Sequence, residues 1–155
     1  MSVSINYRYR PDGLLPDATK LPDIPLLNLV FVRRDRRQAL LASAVVDTGF
    51  DGPVYANLEL AEFLEALVPL TRAALDTAGH RIDCEVFKVE CHLADTERRP
   101  KMAFGQVDVY VPVQPADLTP DVLVGRTILN RLTLQLDGSS LQVRGTGATH
   151  RQRHG

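Results

Sequence analysis

The segment AVVDTGFDG, residues 44–52, holds the side chains best placed for chemistry. An apolar run ends on Asp47, and Thr48 and Gly49 follow at once. Such a turn holds one carboxylate at the end of a strand, as general acid–base chemistry requires. The Thr48 hydroxyl can hydrogen-bond beneath that carboxylate, and Gly49 admits the close approach of another stretch of chain. Taken alone, Asp-Thr-Gly also fits an ordinary exit from a strand.

Rival constellations are weaker. His150 and His154 are four apart in a polar tail, and Cys91 precedes His92, but neither set closes a metal site. Cys84 and Cys91 make no Cys-x-x-Cys and read as buried strand residues. Gly145-Thr146-Gly147 lacks the strand–turn–helix context of a phosphate loop, and no Gly-x-Ser-x-Gly elbow is present. The chain therefore predicts neither metal nor cofactor. With 155 residues, 45% hydrophobic and 24% charged, it fits one globular domain. A net charge of -1 argues against nucleic acid or anionic lipid as partners. The absence of a long apolar run predicts no membrane span, and the start MSVSINYRYRPDG has no signal-like apolar region. Two cysteines cannot build a disulfide framework, which suggests a reducing, cytoplasmic setting.

The elements that must position Asp47 read as β-rich, because scattered prolines and glycines separate short apolar runs. Val3, Ile5, Tyr7 and Tyr9 alternate as a strand, and residues 10–23 hold three prolines and read as a loop or arm. The runs 24–32 and 38–46 flank RRDRR as a hairpin, RRDRR being a charged turn or, less favourably, a nucleic-acid patch. Asn57 caps a helix of roughly three turns, with Leu60, Phe63, Leu64, Leu67 and Val68 on one face and Pro69 closing it. Residues 70–89 read as a hairpin turning at Thr77-Ala78-Gly79-His80. Phase slips between Val86 and Phe87 and near Gly105 suggest β-bulges. A short strand at 121–125, a short helix at 126–132 and a hairpin turning at Asp137-Gly138 complete the pattern. The organisation is an N-terminal strand and arm (1–23), a main domain (24–143) and a polar tail (144–155).

Two segments together resemble the retropepsin-like aspartic proteases, the family of retroviral proteases and their cellular relatives. Val45-Val46-Asp47-Thr48-Gly49 matches the first family motif. Leu123-Val124-Gly125-Arg126 matches the second, and Ile128-Leu129-Asn130 opens its helix. Thr127 stands where the family usually has Asp or Asn, and Phe50 where Ala or Ser is common. The resemblance spans roughly residues 24–143. It implies an all-β acid-protease barrel with one or two short helices, and an aspartic endopeptidase in which Asp47 is catalytic. Thr48, Gly49, Asp51, Gly125 and Arg126 would support the site, with an Asp51–Arg126 ion pair preferred to a solvated Asp51.

Family chemistry needs two carboxylates sharing one proton, one accepting a proton from water and the other donating to the peptide carbonyl. This chain has one Asp-Thr-Gly, so the resemblance implies a homodimer acting on a peptide or protein, each chain supplying one Asp47. Thr77, Ala78, Gly79 and His80 fall where the family places its flap, a hairpin that closes over substrate, although a plain surface hairpin fits them equally. Val3–Tyr9 and Leu141–Val143 are candidates for an intersubunit sheet, or for packing within one subunit. The competing functional expectation keeps the fold without catalysis, as a peptide-binding or dimerisation module. Phe50 and Thr127 favour that alternative and the intact Asp-Thr-Gly opposes it.

Overall fold

A computed structural model describes residues 2–146. Strands β2 (Leu26–Arg33) and β3 (Gln38–Val46) form the expected hairpin, with Arg33 opposite Gln38. The free edge of β2 pairs with β6 (His80–Ala94), which pairs with β7 (Pro100–Pro112). β7 runs parallel to β4 (Val54–Tyr55), β4 is antiparallel to β8 (Val122–Val124), and β8 is parallel to β3. These six strands close a barrel. Among the described residues β5 (Thr71–Thr77) pairs only with β6 and hangs from the barrel as a seventh strand.

Leu27, Leu29 and Phe31 of β2 point inward and are fully buried, as are Val54, Val109 and Val124. Period-two alternation therefore fills the barrel with branched side chains. No helix among the described residues is long and apolar enough to cross a membrane.

Helix α1 (Leu58–Phe63) starts as expected, the Asn57 side chain accepting from the Leu60 amide at 3.0 Å. It ends early, at Leu64, and Val68 is 88% exposed instead of continuing the apolar face. The reason lies in the charged turn of the first hairpin. Arg33 is only 4% exposed, and its guanidinium donates to the carbonyls of Phe63 (3.0 Å) and Glu65 (3.1 Å). A side chain thus satisfies carbonyls that would otherwise require another turn of helix. Arg34 pairs with Glu90 at 2.8 Å, so RRDRR is a hairpin turn with two anchored arginines. Removing the buried cation strands both carbonyls. Arg33→Ala is therefore expected to destabilise the fold by about 2–4 kcal/mol, measurable as a lower urea midpoint.

The slip at Val86 and Phe87 is not a bulge. Val86 pairs with Tyr110 and Phe87 with Val109 in unbroken register, and both are buried because β6 is covered on both faces there. The slip near Gly105 is one: register passes from Cys91 opposite Gly105 to His92 opposite Ala103, leaving Phe104 over. Gly105 lies at φ +77, the left-handed conformation such a bulge requires.

Strands β1 (Ser2–Arg8), β9 (Thr133–Leu136) and β10 (Ser140–Thr146) make a second sheet, ordered β1-β10-β9. The terminal strands thus pair within one chain. Arg144, Gly145 and Thr146, expected to start the tail, continue β10 opposite Ser4, Val3 and Ser2. The rest of that tail, His150 and His154 included, lies outside the described residues. The β9–β10 turn is built on Asp137, whose carboxylate accepts from the amides and hydroxyls of Ser139 and Ser140. Those donors, the Ser139 amide foremost, hold its pKa down at about 2 against an ordinary 3.8. A depressed folded pKa adds stability above the unfolded value, lost as pH falls through the folded one. Melting temperature should therefore drop as pH falls from about 4 towards 2, and less steeply in Asp137→Asn, which has no carboxylate to protonate.

Candidate active site

The site begins where β3 ends. The Asp47 amide donates to Val124 O at 3.0 Å, carrying the β3–β8 ladder one residue further. The chain then turns: the Gly49 amide donates to Asp47 Oδ1 at 3.0 Å, and the Phe50 amide to Asp47 O at 3.2 Å. A Cβ on Gly49 would lie 3.3 Å from Asp47 Oδ1, so glycine keeps the carboxylate seated. Asp47 itself is half-buried.

The second motif locks this turn from below. The Gly125 amide donates to Pro53 O at 2.9 Å and the Arg126 amide to Phe50 O at 2.8 Å. The two segments pass so closely that a Cβ on Gly125 would lie 2.1 Å from Gly52 O. Helix α2 (Arg126–Leu129) then adds two side-chain bonds. Arg126 Nη1 donates to Thr48 O at 2.7 Å, and Thr127 Oγ1 to Asp51 O at 2.7 Å.

This geometry corrects two expectations. Arg126 and Asp51 form no ion pair: the turn offers the Thr48 carbonyl to the guanidinium, and the Asp51 backbone carbonyl faces the Thr127 hydroxyl. The Asp51 residue is exposed. The Thr48 hydroxyl does not brace Asp47; Thr48 is exposed and engages Arg126 through its carbonyl. Thr127 thus ties the start of α2 to the Asp51 backbone through its hydroxyl.

Above Asp47 opens a cleft of about 640 Å³. Asp47 and Gly49 lie in its wall with Tyr55 and Leu123, and Leu75 and Thr77 of β5 face them together with Ile82 of β6. Thr77, at the start of the turn placed at Thr77–His80, thus shares the cleft with Asp47, and Ala78, Gly79 and His80 do not line it. The turn is formed by Ala78 (φ 48) and Gly79 (φ 79), a pair of left-handed residues matched to the twist of the strands. Ala78 and Gly79 form the exposed tip, while Thr77 lines the cleft. His80 Nε2 lies 3.4 Å from Asp117 Oδ1, on a loop across the cleft. Because β5 has one strand neighbour among the described residues, its other edge is unpaired by them.

Several wall residues carry no sequence signal. Tyr55, Asp117 and Thr119 arrive from separate segments. The Tyr55 hydroxyl donates to Asp117 O at 2.6 Å, and burial pushes its pKa up to about 12, so it stays a donor. Phe50 packs edge-on against Tyr55 (6.1 Å) and Tyr110 (5.8 Å), filling the base of the turn with aromatic surface. Cys84 and Cys91 are free and buried; burial pushes the Cys84 thiol up to about 11 and the Cys91 thiol higher still, so both are inert.

Among protein families, curated proteins and solved structures, none matches this chain.

Proposed function

We propose that this chain is a retropepsin-like aspartic endopeptidase, active as a homodimer in the cytoplasm. The observation that carries the reading is Asp47 seated in the wall of a cleft that it shares with β5, a strand at the edge of its sheet. An extended peptide can add to that edge by main-chain hydrogen bonds, its side chains falling alternately towards the Asp47 wall and away from it. One such carboxylate per chain does half the chemistry. A second copy, related by a two-fold axis through the cleft, brings a second Asp47 beside the first.

Like charges so close do not both ionise easily, so the pair holds one proton. The ionised member takes a proton from a water as that water attacks the peptide carbonyl. The protonated member donates to the carbonyl oxygen. As the tetrahedral species collapses, the proton taken from water passes to the leaving nitrogen and one gem-diol hydroxyl returns its proton to the other carboxylate, so amine and acid depart and the pair again holds one proton. Thr48, Gly49, Gly125 and Arg126 act here by fixing the turn, and residues 77–80 by covering the substrate and excluding water. Asp51 supports the turn through its carbonyl.

The free edge of β5 also suits a module that binds peptides without cutting them. Hydrolysis of an unfolded protein by wild type and by Asp47→Ala separates the two. Cleavage by wild type alone supports the protease, and undiminished cleavage by Asp47→Ala overturns it.

A further inference from the structure

Residues 10–24 form a two-stranded ribbon that belongs to neither sheet. Arg10 and Ile24 exchange backbone bonds of 3.0 and 2.7 Å, the Leu21 amide donates to Gly13 O at 2.9 Å, and the Leu15 amide to Thr19 O at 2.8 Å. Every residue from Pro11 to Lys20 is exposed. Leu14 is 65% and Leu15 44% exposed, adjacent apolar side chains on a projection with no core of its own. An isolated two-stranded ribbon is marginal in water. At about 3.3 Å per residue, the stretch from Arg10 to Leu15 reaches roughly 17 Å.

The root of the ribbon is fixed at the Asp47 end of the barrel. Leu26 lies opposite Val45, and the Val46 amide donates to Pro25 O at 3.2 Å, so the chain leaves the ribbon beside the residue preceding Asp47. The root is braced as well: the Arg10 guanidinium donates to both Asp121 carboxylate oxygens, at 2.8 and 2.7 Å. Asp121 directly precedes β8, the strand that leads to Gly125.

The geometry points to this ribbon as a dimerisation arm that lays Leu14 and Leu15 on a second copy of this chain. The inference rests on the dimeric reading above, because the end of the barrel that must meet a second copy is the end that carries the arm. Burying two leucines from each protomer adds apolar contact beside a pair of carboxylates that by themselves repel. The arm then serves assembly, leaving the cleft to the substrate.

The test is sedimentation equilibrium of wild type and Leu14→Glu/Leu15→Glu across the micromolar range, with amide exchange of residues 11–20 in wild type at low and high concentration. The expected result is a dimer whose dissociation constant rises about tenfold or more in the double variant. The monomer's circular dichroism should not change, and exchange in the arm should slow as wild type dimerises. Equal dissociation constants, or arm exchange indifferent to concentration, overturn the arm and leave the dimeric protease standing. If the double variant fails to fold, the wild-type exchange decides alone. A wild type monomeric throughout overturns both the arm and the dimeric reading.

Discussion

Asp47→Asn is expected to cut peptide hydrolysis by about 10³-fold or more while leaving the fold intact. The amide oxygen of Asn can still accept from the Gly49 amide, which now donates to Asp47 Oδ1 at 3.0 Å, so the turn keeps its local bond. On the proposed mechanism, what disappears is the ability to hold or release the shared proton. The variant should melt close to wild type, within about 0.5 kcal/mol, as a half-exposed isosteric change does. Mixing gives a sharper readout. If the protein is the proposed dimer, added Asp47→Asn chains draw wild-type protomers into dimers with a single carboxylate. Once subunits exchange, equal amounts should lower the rate per wild-type chain to about one half. A monomeric enzyme would show no such loss. The wild-type rate should favour mildly acidic pH, where one proton is shared, and a rate still climbing into alkali would count against the dyad.

How much of this was legible in the sequence depends on the range of the interaction. Local patterns could be read: the Asn57 cap, the Ala78-Gly79 turn, the Gly105 bulge and the β2–β3 hairpin all follow from neighbouring residues. The turn that holds Asp47 at the end of β3 was legible from its own residues, and Gly125 was marked by its motif. What escaped was set at long range. The helix after Asn57 stops early because Arg33, some thirty residues upstream, caps its carbonyls. Arg126 reaches a backbone carbonyl instead of Asp51, a choice made by the orientation of the turn and not by charge. Tyr55 and Asp117 meet in the cleft wall only because β4 and the loop before β8 are brought together by the barrel.

Gly125→Ala should be the most damaging single methyl addition to this site. At φ -105 the backbone of Gly125 is ordinary, so no conformational strain arises. The obstacle is contact: the new Cβ would sit 2.1 Å from Gly52 O, 2.7 Å from Phe50 O and 2.6 Å from Phe50 Cδ1. Two of these are backbone atoms that cannot swing aside as a side chain would. Relief requires the 50–53 loop and the start of α2 to separate. Separation stretches the bonds from Gly125 N to Pro53 O and from Arg126 N to Phe50 O, and with them the anchors on Thr48 O and Asp51 O. A loss of about 3 kcal/mol or more is expected, together with loss of hydrolysis in whatever fraction stays folded, because the same bonds orient Asp47. Gly138→Ala is the matched control. At φ +90 with nothing among the described residues within 4 Å of its Cβ, it should cost about 1–2 kcal/mol through backbone conformation alone. Hydrolysis by its folded fraction should be unchanged, since the β9–β10 turn does not line the cleft. Denaturant titration and activity measured on both variants separate the effects. A Gly125→Ala protein as stable and active as wild type would show that the two motifs do not clasp each other as described.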